Sequence, residues 1–212
     1  ALLHGWVVTY LKEWKDNDPN SAAVEAWNIT VDNGAKQLIY DSIGVGAGAK
    51  GELRQLVAQM EYSASIPAID AFAANAGVIN PDDSYDQGYV ASSVGGREGE
   101  ARTNKDMFTN LKAQAYWELR DRCYNAWKAR NGKPYDEDKL ISFDSESIDR
   151  KVMDKLKGEA SQPRREYLNG KLRVEPKDKM KKRGVNSPNI LEAVVMAVSP
   201  KESSSTLLDL ML

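Results

Sequence analysis

The stretch Gln37-Leu38-Ile39-Tyr40-Asp41-Ser42-Ile43-Gly44-Val45-Gly46-Ala47-Gly48-Ala49-Lys50-Gly51-Glu52-Leu53-Arg54-Gln55-Leu56-Val57 decides the fold class. Gln37 to Ile43 reads as a short strand that brings one carboxylate, Asp41, to its C-terminal end. A glycine-rich turn follows, and then an amphipathic helix runs from Glu52 to about Tyr62. Ligands of open α/β sheets gather at the carboxyl ends of strands. Glycines there let a phosphate or a second backbone approach closely. Asp41 is therefore a candidate site residue.

Upstream, the β-branched and aromatic run Val7 to Trp14 predicts a strand. Asp18-Pro19-Asn20-Ser21 starts a helix carried on by Ala22 to Val31 and ended by Gly34. Strand, helix, strand, helix predicts a crossover unit with parallel pairing. Downstream, Ile66 to Phe72 is a further strand, pushed towards an edge by Pro67. Ala76 to Arg102 is a long loop rich in Gly, Asp, Ser and Asn. Helical spacing predicts one helix from Asn104 to Arg130, stopped by Asn131-Gly132-Lys133-Pro134. A shorter helix covers Ser145 to Lys157. Arg165 to Val174 is a hairpin turning on Asn169-Gly170. A basic helix from Pro176 to Arg183 and an apolar helix from Asn189 to Val198 complete the pattern, with a loose tail over 201–212.

Composition narrows the chemistry. The 212 residues, 42% of them hydrophobic, suit one α/β domain or two small ones, and no linker divides them. No apolar run reaches the ~18 residues of a membrane span, and no secretory signal pattern opens the chain. The single cysteine, Cys123, excludes an internal disulfide, fits a reducing cytosol and is expected to pack inside its helix. The one histidine, His4 near the chain start, does not by itself suggest a zinc site or a Ser-His-Asp triad, and no second His accompanies it for zinc. Net charge is only −2, yet Lys171, Arg173, Lys177, Lys179, Lys181, Lys182 and Arg183 cluster within thirteen positions. Such a basic segment on a mildly acidic protein suits a phosphate backbone, or else is a solvated helix face.

Two chemistries use a segment like the one around Asp41. Gly46, Gly48 and Gly51 satisfy the dinucleotide pattern G-x-G-x-x-G between a strand and a helix. Against it, the ribose acid about twenty residues on would be Asp70 in a proline-started strand, and Asp41 would repel a pyrophosphate. A triphosphate loop is excluded, because Glu52 follows Gly51 where a lysine is required. The other chemistry is metal-assisted phosphodiester cleavage, in which carboxylates from separate elements hold divalent ions. Glu192, the lone acid of the helix Asn189-Ile190-Leu191-Glu192-Ala193-Val194-Val195-Met196-Ala197, is the second candidate. An acid in a first helical turn is also favoured by the helix dipole alone.

Four segments in order carry a resemblance: Asp41 to Gly48; Asn104-Lys105-Asp106-Met107-Phe108-Thr109-Asn110-Leu111-Lys112-Ala113-Gln114-Ala115-Tyr116-Trp117-Glu118-Leu119-Arg120; Asn169-Gly170-Lys171-Leu172-Arg173-Val174-Glu175-Pro176-Lys177; and Arg183-Gly184-Val185-Asn186-Ser187-Pro188-Asn189-Ile190-Leu191-Glu192-Ala193. Together they resemble the C-terminal nuclease domain of the bacteriophage terminase large subunit. The resemblance implies a ribonuclease H-like α/β fold over residues 1–200, a mixed sheet flanked by helices with an additional β-hairpin. It implies a Mg2+- or Mn2+-dependent endonuclease, with two ions, that cuts concatemeric double-stranded DNA during packaging. Asp41 takes the place of the family's middle acid and Glu192 that of its last, usually aspartate. Asn189 stands where a further ligand is often found, as a neutral and weaker donor. The family's first acid lies on a strand ahead of the one over Val7 to Trp14, so an incomplete metal site is expected within these residues. Lys171 to Arg183 would hold DNA, and the long loop, with Arg97 and Arg102, would fold over DNA or contact the motor domain. Phe108, Tyr116, Trp117 and Trp127 are expected in the core. Implied partners are an N-terminal ATPase domain of the same polypeptide, the terminase small subunit and the portal protein, in the cytoplasm of an infected bacterium. A nucleotide-binding module and a non-catalytic DNA-binding or assembly domain remain the alternatives.

Overall fold

A computed structural model describes residues 1–14, 18–43, 49–60, 66–85 and 102–201, which build a mixed α/β architecture. Gly5, at φ +60°, lies between strand β1 (Leu2–His4) and strand β2 (Val7–Tyr10), which pair antiparallel. The strand expected over Val7 to Trp14 thus ends at Tyr10. Beyond it Leu11 drops into the core and Lys12 bonds Glu25 at 2.6 Å, tying the connection to the next helix. β1 has three residues, too few to show a period in sequence.

Helix α1 (Pro19–Asp32) opens on Asp18, whose carboxylate accepts from the Asn20 amide at 3.0 Å, and gives way to Gly34 at φ +59°. Strand β3 (Gln37–Asp41), helix α2 (Ala49–Ala58) and strand β4 (Ala68–Phe72) follow. β3 and β4 are parallel over five residue pairs, from Gln37 opposite Ala68 to Asp41 opposite Phe72. The parallel pairing expected between the strands of Val7 to Trp14 and Gln37 to Ile43 is not found among the described residues: β2 and β3 lie in separate ladders, and β3 takes β4 as its parallel partner, with Asp41 at its end. Side chains of β3 alternate between two faces. Leu38 and Tyr40 pack with Ala23, Trp27, Ala49 and Leu53 beneath α1 and α2, whereas Ile39 packs against the main core.

The single helix expected from Asn104 to Arg130 is two. Helix α3 (Asn104–Met107) ends as Phe108 turns into extended backbone and bridges Leu172, and helix α4 (Leu111–Arg130) restarts on Asn110, whose side chain accepts from the Ala113 amide at 3.0 Å. Helical periodicity runs through this break because it constrains side chains, while the break is made by one capping amide. Strand β5 (Ser142–Phe143) pairs parallel with β2 and is too short to be foreseen. Helix α5 (Arg150–Ala160) starts later than expected because Asp149 caps it, accepting from Lys151 and Val152 amides at 2.8 and 3.3 Å. Strands β6 (Arg165–Leu168) and β7 (Lys171–Val174) pair antiparallel through Asn169 and Gly170, both at positive φ. Helices α6 (Lys177–Lys182) and α7 (Asn189–Ala197) close the fold.

Core position explains α7's apolar sequence. Val194 and Val195 are fully buried against Val8, Leu111, Ala115, Leu119 and Leu156. The buried Glu159 of α5 accepts from the Leu191 amide at 2.9 Å, satisfying a donor that the first helical turn leaves open. Phe108 is buried and Trp117 packs beside it, as expected. Trp127 is not core: it is 45% exposed and stacked on Tyr124. Cys123 is likewise exposed, since α4's far half extends past the core.

The ends of the long loop are drawn together by the Tyr85 amide, which donates to Arg102 O at 2.7 Å. Arg102 itself donates to the carbonyls of Asp106 and Gly170. Gly46 and Gly48, Arg97 and the tail past Lys201 lie outside the described residues. No helix among the described residues is long and apolar enough to cross a membrane. The described strands form three ladders, β1-β2-β5, β3-β4 and β6-β7.

Candidate metal and nucleic-acid site

A cavity of about 890 Å³ opens where β3, β7, α4 and α7 meet. Asp41 reaches it from the end of β3, Glu192 and Asn189 from the first turn of α7, and Lys177 from the start of α6. The two acids 151 positions apart in sequence thus face one space, because α7 packs against β3. Asp41 also accepts from the Ile43 amide at 2.9 Å, which fixes its side chain at the strand end.

Glu192 meets a cation on each oxygen. Lys112 Nζ donates to Oε1 at 2.8 Å and Lys177 Nζ lies 2.7 Å from Oε2. Burial alone raises the carboxyl pKa, but Lys112 first and then Lys177 outweigh it, so Glu192 is held below the usual carboxylate range and ionised. Sequence reading missed Lys112, while Tyr116 packs against the main core as expected and also lines the cavity. They stand one helical turn apart on α4, and the ammonium of Lys112 sits 5.6 Å from the Tyr116 ring centroid. The Tyr116 hydroxyl is buried without a partner, and burial pushes its pKa upward, so it remains a proton donor. Arg173 Nε, on the same cavity, is also buried and unbonded. Only the i,i+4 pairing of Lys112 and Tyr116 on a site-facing helix could have signalled these groups.

The basic segment divides in two. Arg183 donates to both oxygens of the buried Glu175, at 2.9 and 2.6 Å, and to Gln162 O at 3.0 Å. Arg173 and Lys179 both bond Glu166, at 2.5 and 2.8 Å. Arg183 is thus held within the fold by Glu175 and Gln162. Lys181 and Lys182 are exposed on α6 and pair with no carboxylate among the described residues, while Lys171 is half-buried beside the hairpin turn.

The donor set suits a hard divalent cation. Two carboxylates and the Asn189 amide are oxygen donors of the kind Mg2+ and Mn2+ take. Among the described residues no group of three or more His, Cys, Asp or Glu side chains is gathered to hold a metal. Asp41 and Glu192 are thus a partial set. The dinucleotide pattern loses support at Gly51, where a Cβ would meet nothing within 4 Å, although that glycine's role in the pattern is close packing of helix on strand.

Comparison with protein-family profiles and with curated proteins finds no match. Solved structures do match. The nuclease domain of the large terminase subunit gp2 of bacterial virus Sf6 is 32% identical, with a TM-score of 0.77 over 94% of this chain and 80% of that one. A mutant of the same domain with manganese is 30% identical, with a TM-score of 0.79 over 94% and 81% of the two chains. The same mutant with calcium matches at 30% identity and the same TM-score. The chain belongs to the family of nuclease domains of bacteriophage large terminase subunits.

Proposed function

We propose that this domain hydrolyses phosphodiester bonds of double-stranded DNA with Mg2+ or Mn2+, as the cutting unit of a viral packaging motor. The carrying observation is the convergence of Asp41 and Glu192, from separate elements, on one cavity rimmed by Lys112, Arg173 and Lys177. A parallel strand pair ending in an acid, with helices on both faces, supports a ribonuclease H-like fold over residues 1–200.

Asp41 and Glu192 would hold the cations, with Asn189 as a neutral donor. Bound ions supply Lewis acidity at the phosphate and lower the pKa of the attacking water. Lys112 and Lys177 keep Glu192 ionised, and Lys177, half exposed, is free to swing onto a phosphate oxygen when DNA arrives. Arg173 and Lys171 line the approach from the hairpin, and Lys181 and Lys182 extend the contact along α6. These contacts go to phosphates and so place the duplex without reading its sequence. The partners in this reading are the ATPase domain of the same polypeptide, the small subunit and the portal protein, in the host cytoplasm.

The test is Mn2+-dependent nicking of plasmid DNA by the full polypeptide. Asp41→Ala should lower the rate at least ~100-fold, the scale of losing part of a metal's charge stabilisation. Full activity in that variant would overturn the reading. Salt-sensitive DNA binding without cleavage by any form of the protein would favour a non-catalytic assembly role instead.

A further inference from the structure

The last two turns of α4 and the segment after them carry a surface of their own. Tyr124, Trp127 and Tyr135 are each nearly half exposed, and none of them lines the cavity of Asp41 and Glu192. Large rings gathered on open surface are a mark of an interaction site.

The backbone holds these rings in place. Trp127 stacks on Tyr124, with centroids 5.7 Å apart and planes 9° from parallel. The Asn131 side chain donates to Trp127 O at 2.7 Å, and Gly132, at φ +63°, turns the chain back on the helix. The Lys133 amide then donates to Lys128 O at 3.0 Å. Buried Asn125 clamps the returning segment, accepting from the Asp136 amide at 3.0 Å and donating to Lys139 O at 2.9 Å. That clamp fixes the backbone next to Tyr135.

Cations cover the stack. Lys133 Nζ lies 4.5 Å from the Trp127 ring centroid, while Lys128 Nζ and the Arg120 guanidinium lie 5.0 and 5.5 Å from that of Tyr124. From Arg120 to Tyr135 the chain has five cations and one acid, Asp121, which is buried and pairs with Arg120. Lys128 and Lys133 pair with no carboxylate among the described residues. The acids Asp136, Glu137 and Asp138 follow only after the clamp.

These features select a partner. The rings meet each other and their cations, which leaves little bare face for a nucleic-acid base to stack on. Ring edges remain, and edges carry partial positive charge, so edges and ammonium groups together favour carboxylates. The apolar rings between the charges suit an apolar side chain, which a phosphate backbone lacks. A second copy of the chain would set like charges against each other. Cations already seated on rings also lose less freedom when a partner arrives.

We propose that the end of α4 is a docking surface for an acidic protein segment. The segment sets Asp or Glu side chains against Lys128 and Lys133, and an apolar side chain against the edges of Tyr124 and Trp127. The surface is separate from the chemistry at Asp41 and Glu192.

Calorimetry on the full chain tests this with a short peptide of Asp and Glu residues around leucine and phenylalanine. Its counterpart with Asn and Gln in place of the acids should bind at least ~10-fold more weakly. Trp127→Ala should weaken the acidic peptide at least ~10-fold, as loss of a central aromatic anchor does. The exposed double variant K128E/K133E should do the same. Tm and plasmid nicking should stay near the parent values in both, because Trp127 lies outside the core and neither site borders the cavity. No binding of the acidic peptide at millimolar concentration overturns the proposal, as does equal binding of the neutral one. Binding that survives both variants places the peptide elsewhere and overturns it too. A DNA oligonucleotide that binds more tightly than the peptide, and is lost in K128E/K133E, assigns the surface to nucleic acid instead.

Discussion

Glu175, buried, and Glu192, half-buried, border the same cavity and are both paired with cations, yet they are built for opposite purposes. Arg183 grips Glu175 with two parallel bonds, and the Arg164 amide adds a third at 3.3 Å. A planar guanidinium held on both carboxylate oxygens is a rigid, geometrically specific pair. Glu192 instead has one lysine on each oxygen, and Lys177 reaches it from half-exposed surface. Lysine is a point charge on a flexible stem, so each contact can be given up singly. One acid is locked as part of the frame; the other is kept charged and exchangeable. Ion pairing alone therefore does not separate a structural acid from a functional one, whereas the identity of the paired cation does.

The largest effect separates them by activity. Glu192→Gln keeps the shape and removes the charge, and should lower Mn2+-dependent cleavage at least ~100-fold with little change in Tm. Its mirror is Glu175→Gln, which should lower Tm by several degrees because the half-buried Arg183 guanidinium loses its charge partner and keeps only neutral acceptors, while cleavage per folded molecule stays near the parent value. A plasmid assay and a thermal melt on each variant check both. Equal loss of activity in the two would erase the distinction.

Acid sharpens it further. Arg183 holds the Glu175 carboxyl below the usual range, against burial, which acts to raise it. A pKa lowered by folding contributes stability above the unfolded value, near 4.3 for a glutamate, and that contribution vanishes as pH falls through the folded value. Arg183→Met should therefore unfold at a higher pH than the parent during acid titration, and the two should converge below the folded pKa of Glu175. An unchanged acid midpoint, followed by tryptophan fluorescence, would contradict the pairing.

Sequence reading found Asp41 and Glu192 because each is the lone acid of an apolar element, a pattern that survives without coordinates. It also found the strands β3 and β4, since a short apolar run is a local pattern, but the parallel pairing it expected joined β3 to the strand at Val7, which lies in another ladder. Missing from that reading were β1 and β5, three and two residues long, and the break at Asn110, where a single side chain outweighs a continuous helical period. The roles of Lys112, Glu175 and Arg183 were hidden for a different reason. Their partners lie on other elements, and a run of basic residues looks the same whether its charges are spent on carboxylates or offered to DNA. Only packing distinguishes Arg183 from Lys182 beside it.

That last distinction yields the smallest and most discriminating effect. Lys181 and Lys182 stand exposed on α6, next to a cavity whose rim is already basic, while Arg183 is committed to Glu175. Each lysine that neutralises a phosphate releases a counterion, and removing it lowers the salt slope of DNA binding by about 0.9. The double variant K181A/K182A should therefore reduce the slope of log K against log salt by about 2, without altering Tm. Arg183→Met, adjacent in sequence, should leave the slope unchanged and lower Tm instead. The two measurements cross over only if the basic segment is divided between frame and surface. A slope that falls equally for all three positions would return the whole segment to a single DNA-facing charge cluster and dissolve the contrast between the two glutamates that rests on it.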